Sequence, residues 1–198
     1  LAVQGPERTL KVNVTNDCSF DKTDEPVVVK LDEVKRLKFD VQSAIVRVEG
    51  KELPCQLDDL DGDAKADELV FLADIGSGQT LAYEVTLSAT GAQKEYTPRV
   101  YADMMLDDKK GKHPFITSIE APGKSYIYSD LYHHGAAFET ELTAFRVYFD
   151  HRQNIDIYGK KLRRLELADT HFYTIPEQMQ KDYGNDVLWA GNSIGCGS

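Results

Sequence analysis

The chain has no apolar run approaching the ~18 residues that a membrane-spanning helix requires, so no segment reads as a span. Cysteine is scarce: Cys18, Cys55 and Cys196 are the only three. An odd count leaves at least one unpaired, and their spacing fits no zinc motif. Basic residues are outnumbered, 23 against 33 acidic ones, for a net charge of -10. That excess argues against nucleic acid, whose phosphates must be met by clustered Lys and Arg, and against an anionic membrane surface. It leaves room for a local site for a polyanionic glycan. Lys160, Lys161, Arg163 and Arg164 form the one dense basic cluster, of a kind more often merely solvated. There is no internal repeat of solenoid or propeller period. The first residue is Leu1, not methionine, and the stretch to Glu7 reads as a tail. A removed export signal, or a boundary within a longer protein, would account for that.

Strand signals are what the chain does have. Thr9–Thr15 alternates apolar and polar residues, and Pro26–Leu31 and Ala44–Val48 follow as apolar runs. Glu49-Gly50 reads as a hairpin turn into Leu53–Leu57, and Glu68–Ala73 and Thr80–Leu87 complete a first unit over residues 1–90. Leu31–Phe39 has room for a helical turn or two, with Asp32 as its cap. Beyond a linker-like stretch, a second unit over 97–198 offers strands at Arg99–Leu106, Ser125–Tyr128, Ala144–Phe149 and Asn154–Tyr158. Its one helix pattern is Thr174–Tyr183, with Pro176 in the first turn and Gly184 as the stop. The expected class is all-β with few helices. The glycine-rich ending Trp189–Ser198 looks like the approach to a further strand, so the second unit is expected to need the remainder of the same polypeptide.

The acidic stretch Asp59-Leu-Asp61-Gly-Asp63-Ala-Lys65-Ala-Asp67 places carboxylates at relative positions one, three, five and nine. Such a loop can curl around a hard cation, and Ca²⁺ takes six to eight oxygens at about 2.3–2.6 Å. The expected shell is Asp59, Asp61, Asp63, the carbonyl of Lys65, and Asp67. It is not an EF-hand, because Ala64 and Val70 stand where that loop wants Gly and Glu. The competing reading is a solvated acidic turn.

A second cluster is Tyr132-His133-His134-Gly135, followed by Glu139, Glu141 and Arg146, then Asp150-His151-Arg152, Asp156 and Tyr158. Histidine, carboxylate and arginine together suit work on an acidic sugar. Arg146 or Arg152 would grip a uronate carboxylate bidentately. His133, His134 or Tyr158 would transfer the proton, and Glu139 and Glu141 would bind substrate. The plainer reading makes the histidines hydrogen-bonded loop residues, and Glu139, Glu141 and Arg146 an ordinary cross-strand set. Trp189 is either a sugar-stacking platform or a core residue. Ser193 in Gly-Asn-Ser-Ile-Gly superficially resembles a nucleophile elbow, without the parallel-sheet context that motif needs.

Four segments carry a family resemblance: Gln56–Phe71, Tyr132–Glu141, Phe145–Asp150 and Asp156–Lys160. Together they resemble a bacterial domain-of-unknown-function family common among gut Bacteroidetes, across the whole chain. The resemblance implies a longer, exported protein, periplasmic or at the cell surface, encoded beside pectin and other polysaccharide degradation genes. It also implies an N-terminal β-sandwich or barrel leading into a larger antiparallel β-supersandwich, like that of galactose mutarotases and several polysaccharide lyases. The expected ligand is a carbohydrate, and the expected activity lyase- or epimerase-like on uronate-containing, pectin-like oligosaccharides. The rival expectation is a non-catalytic glycan-binding or scaffold protein.

Overall fold

Alternating side chains and antiparallel pairing build the three sheets that frame this protein. The computed structural model describes residues 5–151 and 154–188, in two units, Leu1–Tyr96 and Thr97–Ser198. The first holds β1 (Glu7–Thr15), β2 (Lys22–Lys30), β3 (Ser43–Val48), β4 (Lys51–Leu53), β5 (Cys55–Asp58), β6 (Glu68–Ile75) and β7 (Thr80–Ser88). They form a sheet of order β1-β7-β3-β4 and another of order β2-β6-β5. Leu69, Phe71, Ala73 and Ile75 of β6 share one core with Tyr83, Val85 and Leu87 of β7 and with Ala44 and Val46 of β3. The unit is therefore a β-sandwich. Burying each large apolar side chain contributes about 1.5–3 kcal/mol before entropy is charged against it.

Two turns set this topology. Glu49 (φ +51°) and Gly50 (φ +79°) both sit in the left-handed region that a tight β3–β4 hairpin demands. Pro54 then separates β4, which pairs with β3, from β5, which pairs with β6. Lacking an N–H, proline suits the corner where the chain passes from one sheet to the other. The helical turns anticipated at Leu31–Phe39 are two isolated ones, closed by Val34 N–H to Leu31 O and Leu37 N–H to Val34 O.

The second unit is one antiparallel sheet of order β12-β11-β10-β9-β8. Its strands are β8 (Val100–Leu106), β9 (Leu131–Thr140), β10 (Thr143–Tyr148), β11 (Ile155–Gly159) and β12 (Asn185–Leu188), with short helices α1 (Leu167–Thr170) and α2 (Pro176–Met179) before β12. Ser125–Tyr128 is not a strand: it runs into a 3-10 turn at Ile127–Asp130. The helix expected over Thr174–Tyr183 is confined to α2, which buries no residue and so has no apolar face to extend it. The segment between β11 and β12 covers one face of the sheet, where Leu167 and Phe172 pack on Ala137, Ala144 and Tyr158. The opposite face is apolar, with Ala102, Phe138, Phe145 and Ile157 side by side in register.

Candidate functional site

The covered face of the second sheet is polar, which an ordinary core is not. Asp103, Ala137, Arg146 and Asp156 lie in one row across β8, β9, β10 and β11, with Tyr101, Glu139, Ala144 and Tyr158 in the next. The alanines leave room for long charged neighbours. Arg146 is buried, donating to Asp156 Oδ2 at 2.5 Å, to the Tyr148 hydroxyl at 2.6 Å and to the Tyr173 hydroxyl at 3.1 Å. Its guanidinium also stands over the rings of Phe172 and Tyr148, 4.4 and 4.6 Å from their centroids. Arg146 is thus held by protein partners on three sides.

Glu139, expected to bind substrate, is sealed inside. Its carboxylate accepts the backbone N–H groups of Glu166 and Leu167 at 2.8–2.9 Å and pairs with the buried ammonium of Lys160. Acceptance of N–H groups at the start of α1 is the usual work of a capping carboxylate. Glu141 is held by Arg99 and Arg163. Tyr158 donates to Glu166 Oε2 at 2.9 Å, and burial pushes its hydroxyl up to about 12. Arg164 also pairs with Glu166 and lies over Tyr183. The basic cluster, read as solvated, is therefore largely spent on internal carboxylates. Arg152, Trp189 and Ser193 fall outside the described residues.

The two histidines are positioned by an irregularity in β9. Pairing runs Met104↔Ala136 and then Leu106↔Leu131, so Met105 alone faces residues 132–135. Inside this bulge His133 and His134 have φ of +42° and +71°. Each such conformation costs a bulky residue roughly 1–2 kcal/mol, and bulges of this kind re-aim side chains beside functional sites. The two rings part company. His133 turns inward, fully buried, its Nε2 3.0 Å from Oδ1 of the equally buried Asp103. The contact is an ion-pair distance without hydrogen-bond alignment. His134 turns toward Tyr128, stacking at 4.0 Å between centroids and 3° between planes, and lies 6.0 Å from Tyr148. Its Nδ1 is 3.1 Å from the carbonyl of Tyr128. A carbonyl only accepts, so in the neutral ring Nδ1 carries the proton and Nε2 the lone pair. Burial, opposed by that carbonyl and aided by Arg146, lowers His134 from its ordinary value of 6.5.

Beside this stack lies a groove of about 700 Å³ lined by Lys124, Tyr126, Tyr148, Asp150 and His151, among others. Tyr126, one of the residues lining it, is more than half exposed and lies 5.5 Å from Tyr128. Asp103, Tyr126, Tyr128 and Tyr148 were not singled out by sequence alone. The alternate spacing of Arg146 with Tyr148, and of Asp156 with Tyr158, was the signal available, since residues two apart on a strand share a face.

The acidic loop of the first unit is closed by its own backbone. Asp59 accepts N–H groups from Gly62 and Ala64 at 2.7 and 2.9 Å, Asp61 from Asp63, Asp63 from Lys65, and Asp67 from Leu60. Carboxylate oxygens of Asp59, Asp61 and Asp67 come within 4.8 Å of one another, without Asp63. Lys65 directs its ammonium to Asp40 at 3.4 Å. Exposed acidic groups commonly gather so without an ion, and the triad alone is not evidence of one.

Fold and site together define a mostly β protein with a polar, tyrosine- and histidine-rich sheet face in its second unit. The chain belongs to the DUF4861 family, a domain of unknown function whose family model matches residues 14–198. No curated protein and no solved structure matches it.

Proposed function

We propose that the groove beside His134 binds a uronate-containing, pectin-like oligosaccharide, in an exported protein of a polysaccharide-degrading system. The observation that carries this reading is the β9 bulge. It spends conformational energy to stack His134 on Tyr128, with a proton-accepting Nε2, and Tyr148 beside that stack lines a groove that also presents the exposed ring of Tyr126. Aromatic faces pack against the apolar face of a pyranose, and Lys124 and His151 supply donors for its carboxylate. In the lyase- or epimerase-like version, His134 takes the proton beside the sugar carboxylate. Its lowered proton affinity keeps it neutral, and so able to act as a base, at neutral pH.

The second reading is binding without turnover, as in a glycan-binding or scaffold protein. The engagement of Arg146 by Asp156 favours it, because that guanidinium is already neutralised. Incubating the chain with oligogalacturonates and following the ultraviolet absorbance of an unsaturated uronate separates the two. Absorbance growth that His134→Gln abolishes supports the enzyme, and saturable binding with flat absorbance supports the binder. Neither signal across acidic and neutral oligosaccharides would overturn the proposal. The galactose-mutarotase likeness of the fold belongs to the same proposal.

A further inference from the structure

Among the described residues, the other deeply buried carboxylates on the covered face each have a permanent cation: Glu139 has Lys160, Asp156 has Arg146 and Glu166 has Arg164. Asp103 instead has an imidazole, that of His133, and neither side chain has any exposed surface. The pair sits where the strand is most distorted. His133 is the first of the two residues with positive φ in the bulge, and His134 is the second. An inward anchor on one fixes the outward direction of the other, because the rings diverge from adjacent backbone positions.

We infer that Asp103 and His133 form a buried clasp that holds the β9 bulge open and thereby positions His134 against Tyr128. His133 is then a positioning residue rather than a proton-transfer group. The groups around it agree with an anchoring role. Tyr101 lies on the strand of Asp103, and Arg146 lies in the same row across Ala137. Tyr132 meets His133 edge-on at 5.4 Å, contacts His171 from the end of α1, and stacks on His113 at 3.6 Å. Behind the bulge, Gly135 closes against the opposite strand: a Cβ there would stand 1.8 Å from the carbonyl oxygen of Val147. The bulge is thus pinned from inside by the Asp103–His133 contact and from the side by a glycine. The functional consequence rests on the groove being the binding site, but the clasp itself does not.

The test follows the imidazole of His134 by NMR titration of the full chain, without ligand, in wild type, Asp103→Asn and His133→Asn. A clasp predicts that wild-type His134 titrates below 6.5. In Asp103→Asn its midpoint should move up toward that value, and in both variants the ring-current shifts from Tyr128 should be lost, as the ring leaves the stack. A residue that merely fills space predicts no change: Asp103→Asn keeps the shape, so a folded Asp103→Asn variant with a wild-type His134 titration overturns the inference. Should the variants not fold, amide exchange in the wild type decides. The clasp predicts that residues 132–135 are as protected as the flanking strand residues 136–139, and faster exchange confined to the bulge overturns it. No carbohydrate enters either measurement, so failure of the oligosaccharide to bind would sink the proposed function without touching the clasp.

Discussion

Gly135 and Ala64 are opposite cases of one backbone constraint. At Gly135 a methyl group would collide with the carbonyl of Val147, which is held in the β9–β10 ladder and cannot retreat. Gly135→Ala should therefore cost roughly 2–3 kcal/mol, the upper part of the overpacking range, measured by urea denaturation. Ala64 has the left-handed conformation (φ +68°) that glycine adopts freely. Ala64→Gly should stabilise the first unit by about 0.5 kcal/mol, the relieved strain exceeding the added chain entropy. His134 contributes a pH dependence of definite sign. Its folded-state proton affinity lies below the ordinary 6.5, so below that pH the unfolded chain binds the extra proton first. Stability tied to His134 is present above 6.5 and drains away as pH falls toward the lowered folded value. His134→Gln should flatten the wild-type stability profile in that window, and an unchanged slope would show that the ring is not desolvated in the stack.

Among the elements, β9 is the long strand its sequence did not announce, although β8, β10 and β11, which share its polar face, were legible. β6 announces itself as the unbroken apolar run Leu69–Ala73, and β7 because Val85 and Leu87 alternate with Glu84, Thr86 and Ser88. β9 turns Leu131, His133, Gly135, Ala137 and Glu139 inward, so two of its five inward residues are polar and the alternation disappears. Tyr132 to Gly135 accordingly read as a loop, although the histidines do point to different surroundings. Glu139, Arg146 and Tyr158 were recognisable as chemistry-bearing residues. Their partners, Lys160, Asp156 and Glu166, are set by sheet register and by the chain's return over the sheet, which no local pattern encodes. The acidic loop was visible as a turn, and the structure adds that its carboxylates cap backbone N–H groups. Asp59→Ala should then lose about 1 kcal/mol even in chelator, as loss of a capping side chain does. A pure calcium ligand would instead show its cost only when calcium is present. If the melting temperature in chelator is unmoved by the substitution, the capping account of the loop is wrong.

At the scale of the molecule, a net charge of -10 meets a proposed ligand of the same sign. Long-range repulsion is screened within a Debye length of about 8 Å at physiological salt, so recognition must be local. Lys124, His151 and the aromatic rim of the groove are the local features that meet this need. Among the described residues no helix is long and apolar enough to cross a membrane. The proposed occupant of this groove, beside the β9 bulge, is an acidic oligosaccharide. Calorimetric titration of the full chain with an oligogalacturonate, alongside its carboxyl-amidated counterpart, tests it most directly. Saturable binding of the acidic form is expected, weakened roughly tenfold, about 1.4 kcal/mol, by Tyr126→Ala. Binding should also weaken when Lys124 is changed to Gln and for the amidated sugar. No heat of binding, or binding that is indifferent to Tyr126, Lys124 and the carboxylates, would contradict it.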